Sequence, residues 1–337
     1  MKVVFDAGVN SRLDNSRGIG VHTNTLFEEL KKLVNREFTI VDSPKTADIT
    51  HITKFHPFFI SIPFVKPSKK VILTVHDLIP LIYPKHYPPG VRGHICFAIN
   101  KYLIGKNVDA IITISETSKK DICRFLNVDP KIIHVIYLAP AIRPKIDSQK
   151  KEEIKTKYNL PKKFALYVGD VNYNKNIPGL VKACMMAKIP LVIAGKQAGK
   201  IEGLNLSHME LRHLKNVDWS NVIRLRYVPN ENLPLVYDLA NVYVQPSFYE
   251  GFGLPVLEAF SYEVPVVVAR TQALVEIGEG ACLFADQNDP KDMAQKISQV
   301  LNEKILRDQL IETGKVIVKN FSWEKAAKET LDVYKNV

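Results

Sequence analysis

Residues 247–260 read SFYEGFGLPVLEAF and place two carboxylates, Glu250 and Glu258, eight positions apart with Gly251, Gly253 and Pro255 between them. The preceding run NVYVQPS reads as a strand ending near Gln245 and Pro246. A helix can begin only once the glycines are passed, and Pro255 suits its first turn. On an unbroken helix, eight residues at about 100° each would leave the glutamates some 80° apart. The glycines interrupt that geometry, so the loop is able to turn both carboxylates towards one cavity. The free N–H groups of Gly253 and Leu254 would point the same way and form an anion site, worth up to ~2 kcal/mol when partly buried. Anion-binding donors flanked by carboxylates suit a ligand with a phosphate in the middle and hydroxyls on either side, the layout of a nucleotide sugar. The competing reading is a Gly-rich turn carrying two solvated glutamates.

The elements that must position these residues follow from the pattern of the chain. Short apolar, β-branched runs recur: VVFDAGV, VILTVHDL, AIITIS and IIHVIYL in the first half, then FALYVGD, LVIAG, NVIRLRYV, NVYVQPS and VPVVVA. Longer amphipathic stretches separate them, among them GVHTNTLFEELKKL and the single long stretch DMAQKISQVLNEKILRDQLIETGKVIV. Such alternation predicts an α/β protein of parallel sheets covered by helices. Residues 139–163, APAIRPKIDSQKKEEIKTKYNLPKK, are rich in proline and charge and contain no strand run. The expected division is therefore a first doubly wound domain over 1–150 and a second over 151–320. The segment 321–337 is a helix capped by Ser322 that crosses back to the first domain. Ligands should bind where the carboxyl ends of the strands face a cleft between the domains.

Composition narrows the function classes. Of 337 residues, 46% are apolar, which excludes intrinsic disorder. No apolar run approaches the roughly 20 residues that span a bilayer. The start, MKVVFDAGVN, reads as a buried strand and turn without a signal-peptide pattern, and the four scattered cysteines lack metal-ligand spacing. Both features point to the cytoplasm. The net charge of +11 is uneven: residues 1–160 hold 25 Lys and Arg against 15 Asp and Glu, and the rest hold 21 against 20. That field favours an anionic partner. No nucleic-acid-reading motif accompanies it, so nucleic acid is not expected.

The stretch EGFGLPVLE (250–258) resembles the E-x7-E signature of the family 4 retaining glycosyltransferases, which have the GT-B fold of two Rossmann-like domains facing across a cleft. The resemblance extends over most of the chain. RGIGVHTNTLFEEL is similar to the family's N-terminal Gly-rich loop and helix, and VILTVHDLIPLIYP to its His-Asp strand end. IITISETSKKDI, YVGDVNYNKNIPGLVKA and FSWEKAAKETLDVY match as well. The resemblance implies that Glu250 contacts hydroxyls of the transferred sugar and that Glu258 grips the ribose. It implies that Lys175 pairs with the diphosphate and that His76 faces the sugar. Gly18, Gly20, Gly169, Gly251, Phe252, Gly253 and Leu254 would line the donor. Asp77 either orients His76 or caps the next turn, and the cap is favoured. Many relatives carry an arginine near that lysine, whereas here the neighbours are Asp170, Asn172 and Asn174. Lys175 would then act with the helix start, or recruit Lys196.

What the resemblance implies is hexose transfer from a GDP- or UDP-linked sugar to a glycan or lipid-linked acceptor, with the anomeric configuration retained. HDLIPLIYP is similar to branches that handle mannose. A covalent double displacement on the carboxylates is the chemical alternative, and the resemblance favours front-face displacement. No metal is expected, since there is no Asp-x-Asp motif. The alternative function is a GT-B sugar-nucleotide epimerase or sugar phosphorylase. Residues 54–70, KFHPFFISIPFVKPSKK, mix aromatic and basic residues and suit peripheral contact with an anionic membrane on its inner face. A strand and loop partly buried in the first domain is the competing reading.

Overall fold

The computed structural model describes residues 1–6, 18–141 and 148–337. The strands at the centre of each sheet are almost wholly buried and those towards its edges half-buried, as expected when both faces of a sheet are covered. The chain divides into two compact units, Met1–Ala139 with Phe321–Val337, and Pro140–Asn320.

Unit 1 holds β1 (Lys2–Asp6), β2 (Thr39–Ile40), β3 (Ile49–Ile52), β4 (Lys70–Thr74), β5 (Ala110–Thr113) and β6 (Ile133–Val135). These pair in parallel in the order β2-β1-β3-β4-β5-β6. Unit 2 holds β7 (Ala165–Val168), β8 (Leu191–Ala194), β9 (Val222–Leu225), β10 (Val242–Gln245), β11 (Val266–Ala269) and β12 (Cys282–Ala285). They too are parallel, in the order β12-β11-β10-β7-β8-β9. The chain winds outward from β7 to β9, returns to the other side of β7 and winds outward again through β10 to β12. The point of reversal lies between β7 and β10.

Several expectations change. The runs of β2, β3 and β12 were not singled out from the sequence. β2 is two residues long, and β3 contains Thr50 and His51, polar side chains that are fully buried. His51 satisfies both ring nitrogens, with the Tyr334 hydroxyl at 2.6 Å and Thr74 Oγ1 at 2.7 Å. The long stretch 292–318 is two helices, Pro290–Asn302 and Lys304–Val318, because Glu303 leaves the helical region (φ −97°, ψ 91°).

The division between units falls at Ala139/Pro140 rather than at 150. The charged segment contains the helix Ser148–Lys157, which packs on the helix Leu233–Asp238 of unit 2. Lys151 pairs there with Asp238, and Asn232 donates to the Tyr158 hydroxyl at 3.0 Å. Assigning that basic segment to unit 2 evens out the charge: unit 1 holds 22 Lys and Arg against 15 Asp and Glu, and unit 2 holds 24 against 20. The last helix, Trp323–Asn336, belongs to unit 1 and packs on the helix Gly18–Lys32. Ser322 caps it, its Oγ accepting from the Lys325 N–H at 3.1 Å. All four cysteines are free thiols.

Candidate functional site

β7 and β10 are neighbours, and the loops leaving their carboxyl ends are stitched together. After β7 the chain passes Gly169 (φ 150°), makes a short 3-10 turn over Tyr173–Lys175 and enters the helix Ile177–Met186 through Asn176 in the left-handed region. Asn174 Nδ2 donates to the Tyr249 carbonyl at 3.0 Å, and the Phe248 N–H donates to the Asn174 carbonyl at 2.8 Å. Asn176 Nδ2 donates to the carbonyls of Pro246 (3.1 Å) and Gln287 (2.8 Å). These bonds set Lys175 opposite the loop that carries Glu250.

Lys175 Nζ donates to both oxygens of Glu250, at 2.9 and 2.8 Å. The same carboxylate accepts from Gln245 Nε2 and from Ser247 Oγ, each at 2.5 Å. Gln245 is oriented in turn by the Tyr243 hydroxyl, which donates to its Oε1. Glu250 is only 6% exposed, so this set of donors is what makes its burial tolerable. The Lys175 side chain keeps 22% exposure, leaving room for an anion to reach the ammonium.

The helix expected after the glycines is Leu254–Ser261, with Pro255 in its first turn. Gly253 adopts φ 121°, a conformation that side chains rarely take. A Cβ there would also lie 2.7 Å from Leu274 Cδ2 and 2.8 Å from Ile277 Cδ1. Gly251, Phe252 and Gly253 are all buried. No side chain caps the start of this helix. Pro255 has no N–H and the Val256 N–H donates to the Gly253 carbonyl at 2.9 Å, so what the helix start offers an anion is the Leu254 N–H and the positive end of the helix dipole.

Glu258 does not meet Glu250 directly. Its Oε2 accepts from the Tyr237 hydroxyl at 2.7 Å. The Tyr237 ring lies 5.8 Å from that of Tyr243, so the two glutamates are joined through a tyrosine pair and Gln245. Burial pushes the Glu258 carboxyl up to about 7, and the Tyr237 hydrogen bond pulls it part of the way back. The side chain is partly exposed overall, so the shift reflects the setting of the carboxyl end, which lies against the tyrosines. The Lys196 ammonium stands over the Tyr227 ring, 5.0 Å from the centroid.

The remaining candidates belong to unit 1. Gly18 and Gly20 open the helix Gly18–Lys32, while residues 7–17 of the loop before them lie outside the described residues. His76 follows β4 and is buried, its Nε2 2.5 Å from His22 Nδ1. His22 stacks on Trp323 of the C-terminal helix, with ring centroids 5.6 Å apart. Burial lowers the His76 pKa to about 4. Asp77 Oδ1 accepts from the Ile79 N–H at 3.1 Å, which caps the turn as expected. Gln245, Ser247, Tyr237, Tyr243 and His22 are the residues that sequence reasoning passed over. Polar Gln245 and Ser247 at the end of an apolar strand run were the one visible signal. Among the described residues no group of His, Cys, Asp and Glu has the arrangement of a metal site.

The fold and this strand-end constellation describe a doubly wound protein with a lysine–carboxylate pair beside a helix start at a sheet reversal. Residues 148–317 match the family described as Glycosyl transferases group 1, and residues 16–139 match Glycosyltransferase Family 4. The O-antigen chain mannosyltransferase B of Escherichia coli is 31% identical over 277 residues, covering 79% of this chain and 70% of that protein. A serotype-specific mannosyltransferase, WbdA, of the same species is 24% identical over 83% of this chain and 36% of its own length. The Anabaena protein HepE, solved in complex with UDP and glucose, superimposes with a TM-score of 0.74 at 12% identity, covering 100% of both chains. The chain belongs to the family 4 glycosyltransferases, and its two α/β domains have the GT-B fold.

Proposed function

We propose that the chain transfers a hexose from a nucleoside diphosphate sugar to a glycan or lipid-linked acceptor in the synthesis of a cell-surface polysaccharide. GDP-mannose is the leading donor, in keeping with the E. coli mannosyltransferases it resembles, and a UDP-linked hexose is the other. The observation that carries the reading is the Lys175–Glu250 pair at the reversal between β7 and β10. Paired as they stand, the two charges neutralise each other. A diphosphate arriving at the helix start would take over Lys175 and free Glu250 to accept from sugar hydroxyls. Charge gathering on the leaving phosphate is then met by the ammonium and the positive end of the helix dipole at Leu254. Glu258, paired with Tyr237, accepts from the ribose.

Glu250 is held by three donors, which suits a grip on hydroxyls better than attack on the anomeric carbon. Front-face displacement with retention follows, the leaving phosphate taking the acceptor's proton, and no metal takes part. No helix among the described residues is long and apolar enough to cross a membrane. The proposed setting is the cytoplasmic side, in peripheral contact with an anionic membrane.

Thermal shift with GDP, UDP and their mannose and glucose conjugates tests the donor. A ligand at 100 times its Kd adds about 2.7 kcal/mol of stability. The expected result is the largest shift with GDP-mannose, lost in Lys175→Ala. Product NMR should show the donor's anomeric configuration, unaffected by EDTA. If no nucleotide sugar shifts the melt, or if Lys175→Ala and Glu250→Ala leave donor turnover unchanged, the assignment is wrong. Isomerised donor without transfer would move it to the epimerase reading.

A further inference from the structure

The helix Gly90–Asn107 of unit 1 is apolar on two opposite faces. Its inner face carries Gly93, Cys96, Leu103 and Ile104, all buried. Its outer face carries Val91, Ile95 and Tyr102, which are 80%, 55% and 66% exposed, together with exposed Ala98. At about 100° per residue, these four lie within an arc of about 60°. Arg92 and Lys106 flank that ridge on one side, His94 and Lys101 on the other. Among the described residues Arg92, Lys101 and Lys106 make no ion pair, and Lys106 stands over the Tyr102 ring at 5.9 Å. The helix contains no acidic residue.

The charge around it is concentrated in the same way. Between Ile49 and Val108 there are eight Lys and Arg against one acidic residue, Asp77. Over the remainder of unit 1 the two signs balance, at 14 each. The segment 54–70, expected to meet a membrane, is divided: Phe55 and Ile62 are core, while Phe59, Phe64 and Val65 are exposed. Three of its four lysines are engaged, Lys66 and Lys70 by Asp109 and Lys69 by Asp48. Asn100 and Asn107 donate to carbonyls of Phe59 and Pro63, at 2.7 Å each, and so bind this segment to the helix.

We propose that the outer face of the helix Gly90–Asn107 is the surface by which the protein docks on an anionic lipid bilayer. The ridge of Val91, Ile95 and Tyr102 enters the headgroup region, and Arg92, Lys101 and Lys106 meet lipid phosphates. A ridge of apolar side chains between two rows of cations is the arrangement of a helix lying in a membrane interface. This deepens the proposed membrane contact and is independent of which sugar is transferred. Flotation with vesicles of phosphatidylcholine alone, or with 30% (about one lipid in three, a strongly anionic surface) phosphatidylglycerol, tests it without donor or acceptor. The full chain is expected to float with anionic vesicles and not with neutral ones, with binding reduced by salt. Lys101→Glu with Lys106→Glu should lower binding by more than about tenfold. Ile95→Gln with Tyr102→Ser should lower it by about tenfold, with an unchanged melting temperature because both side chains are exposed. Lys319→Glu, a single charge reversal in unit 2, should leave it unaltered. Equal binding to neutral vesicles, an equal loss in Lys319→Glu, or unaltered binding in both double variants overturns the proposal. So does concentration-dependent self-association that Ile95→Gln with Tyr102→Ser abolishes in a protein that ignores vesicles.

Discussion

Unit 1 buries histidines among neutral partners and unit 2 sets the carboxyl ends of Glu250 and Glu258 among donors, and the two choices respond to acid in opposite directions. In unit 1, burial holds His22 well below its ordinary value, His51 at about 3 and His76 at about 4. Each is neutral when folded and satisfied by another neutral group: a histidine, a tyrosine or a threonine. In unit 2, Glu250 is held as part of an ion pair, whereas Glu258, bonded to a single tyrosine, is driven up to about 7. Desolvation, only partly offset by the Tyr237 hydroxyl, is what drives the Glu258 carboxyl up. The difference separates a unit whose buried histidines are matched by neutral partners from one that holds a buried ion pair.

The largest effect should come from breaking the Lys175–Glu250 pair. Lys175→Ala is expected to lower donor turnover by about 10²–10³-fold through lost stabilisation of the leaving phosphate. Glu250→Ala should do likewise, whereas His51→Gln, whose partners are Tyr334 and Thr74 rather than any proposed ligand, should leave turnover nearly intact. Steady-state kinetics on the three variants would erase the distinction between the units if all fell equally.

Acid unfolding comes next. The stability contributed by the three neutral histidines is complete above their unfolded pKa near 6.5 and is lost as pH falls towards 4 and 3. Each adds up to about 1.4 kcal/mol per pH unit over its window. Hydrogen exchange between pH 7 and 4.5 should therefore show unit 1 loosening first. Protection lost first in unit 2 would contradict this.

Two glycines give a smaller test. Gly90 in unit 1 (φ 59°) has open space where a methyl group would stand, while Gly253 in unit 2 (φ 121°) is crowded by Leu274 and Ile277. Both alanine variants strain the backbone, at about 1–3 kcal/mol. Urea denaturation should show Gly253→Ala as the more damaging, and it alone should weaken donor binding.

The smallest effect is at Glu258. Its raised pKa contributes stability that is complete below about 4.5 and lost as pH rises through about 7. Glu258→Gln should therefore match the parent at pH 4.5 and melt higher than it at pH 8, while binding donor more weakly. A melting difference that is the same at both pH values would show that the carboxyl is not held neutral.

Much of this was legible beforehand in the residues themselves. Apolar β-branched runs bury on both faces whatever their neighbours, so nine of the strands announced themselves, and the parallel sheets with them. Proline and glycine act through their own backbones, which placed the helix start at Leu254 and kept Glu250 in the loop. The capping Ser322 and Asp77 are local in the same sense.

What stayed hidden is what joins residues distant in the chain. That Lys175 would pair with Glu250, 75 positions later, depends on β7 and β10 being neighbours, and no spacing encodes that adjacency. The support from Gln245, Ser247 and Tyr243, and the burial that raises the Glu258 pKa against Tyr237, belong to the same folded surroundings. The division between units moved because the helix Ser148–Lys157 found its partner in Leu233–Asp238, a contact invisible to composition. Local backbone preference and hydrophobic period are properties of short windows, so a sequence carries them openly. Charge pairing and desolvation depend on which strands lie side by side, and only the folded chain sets that.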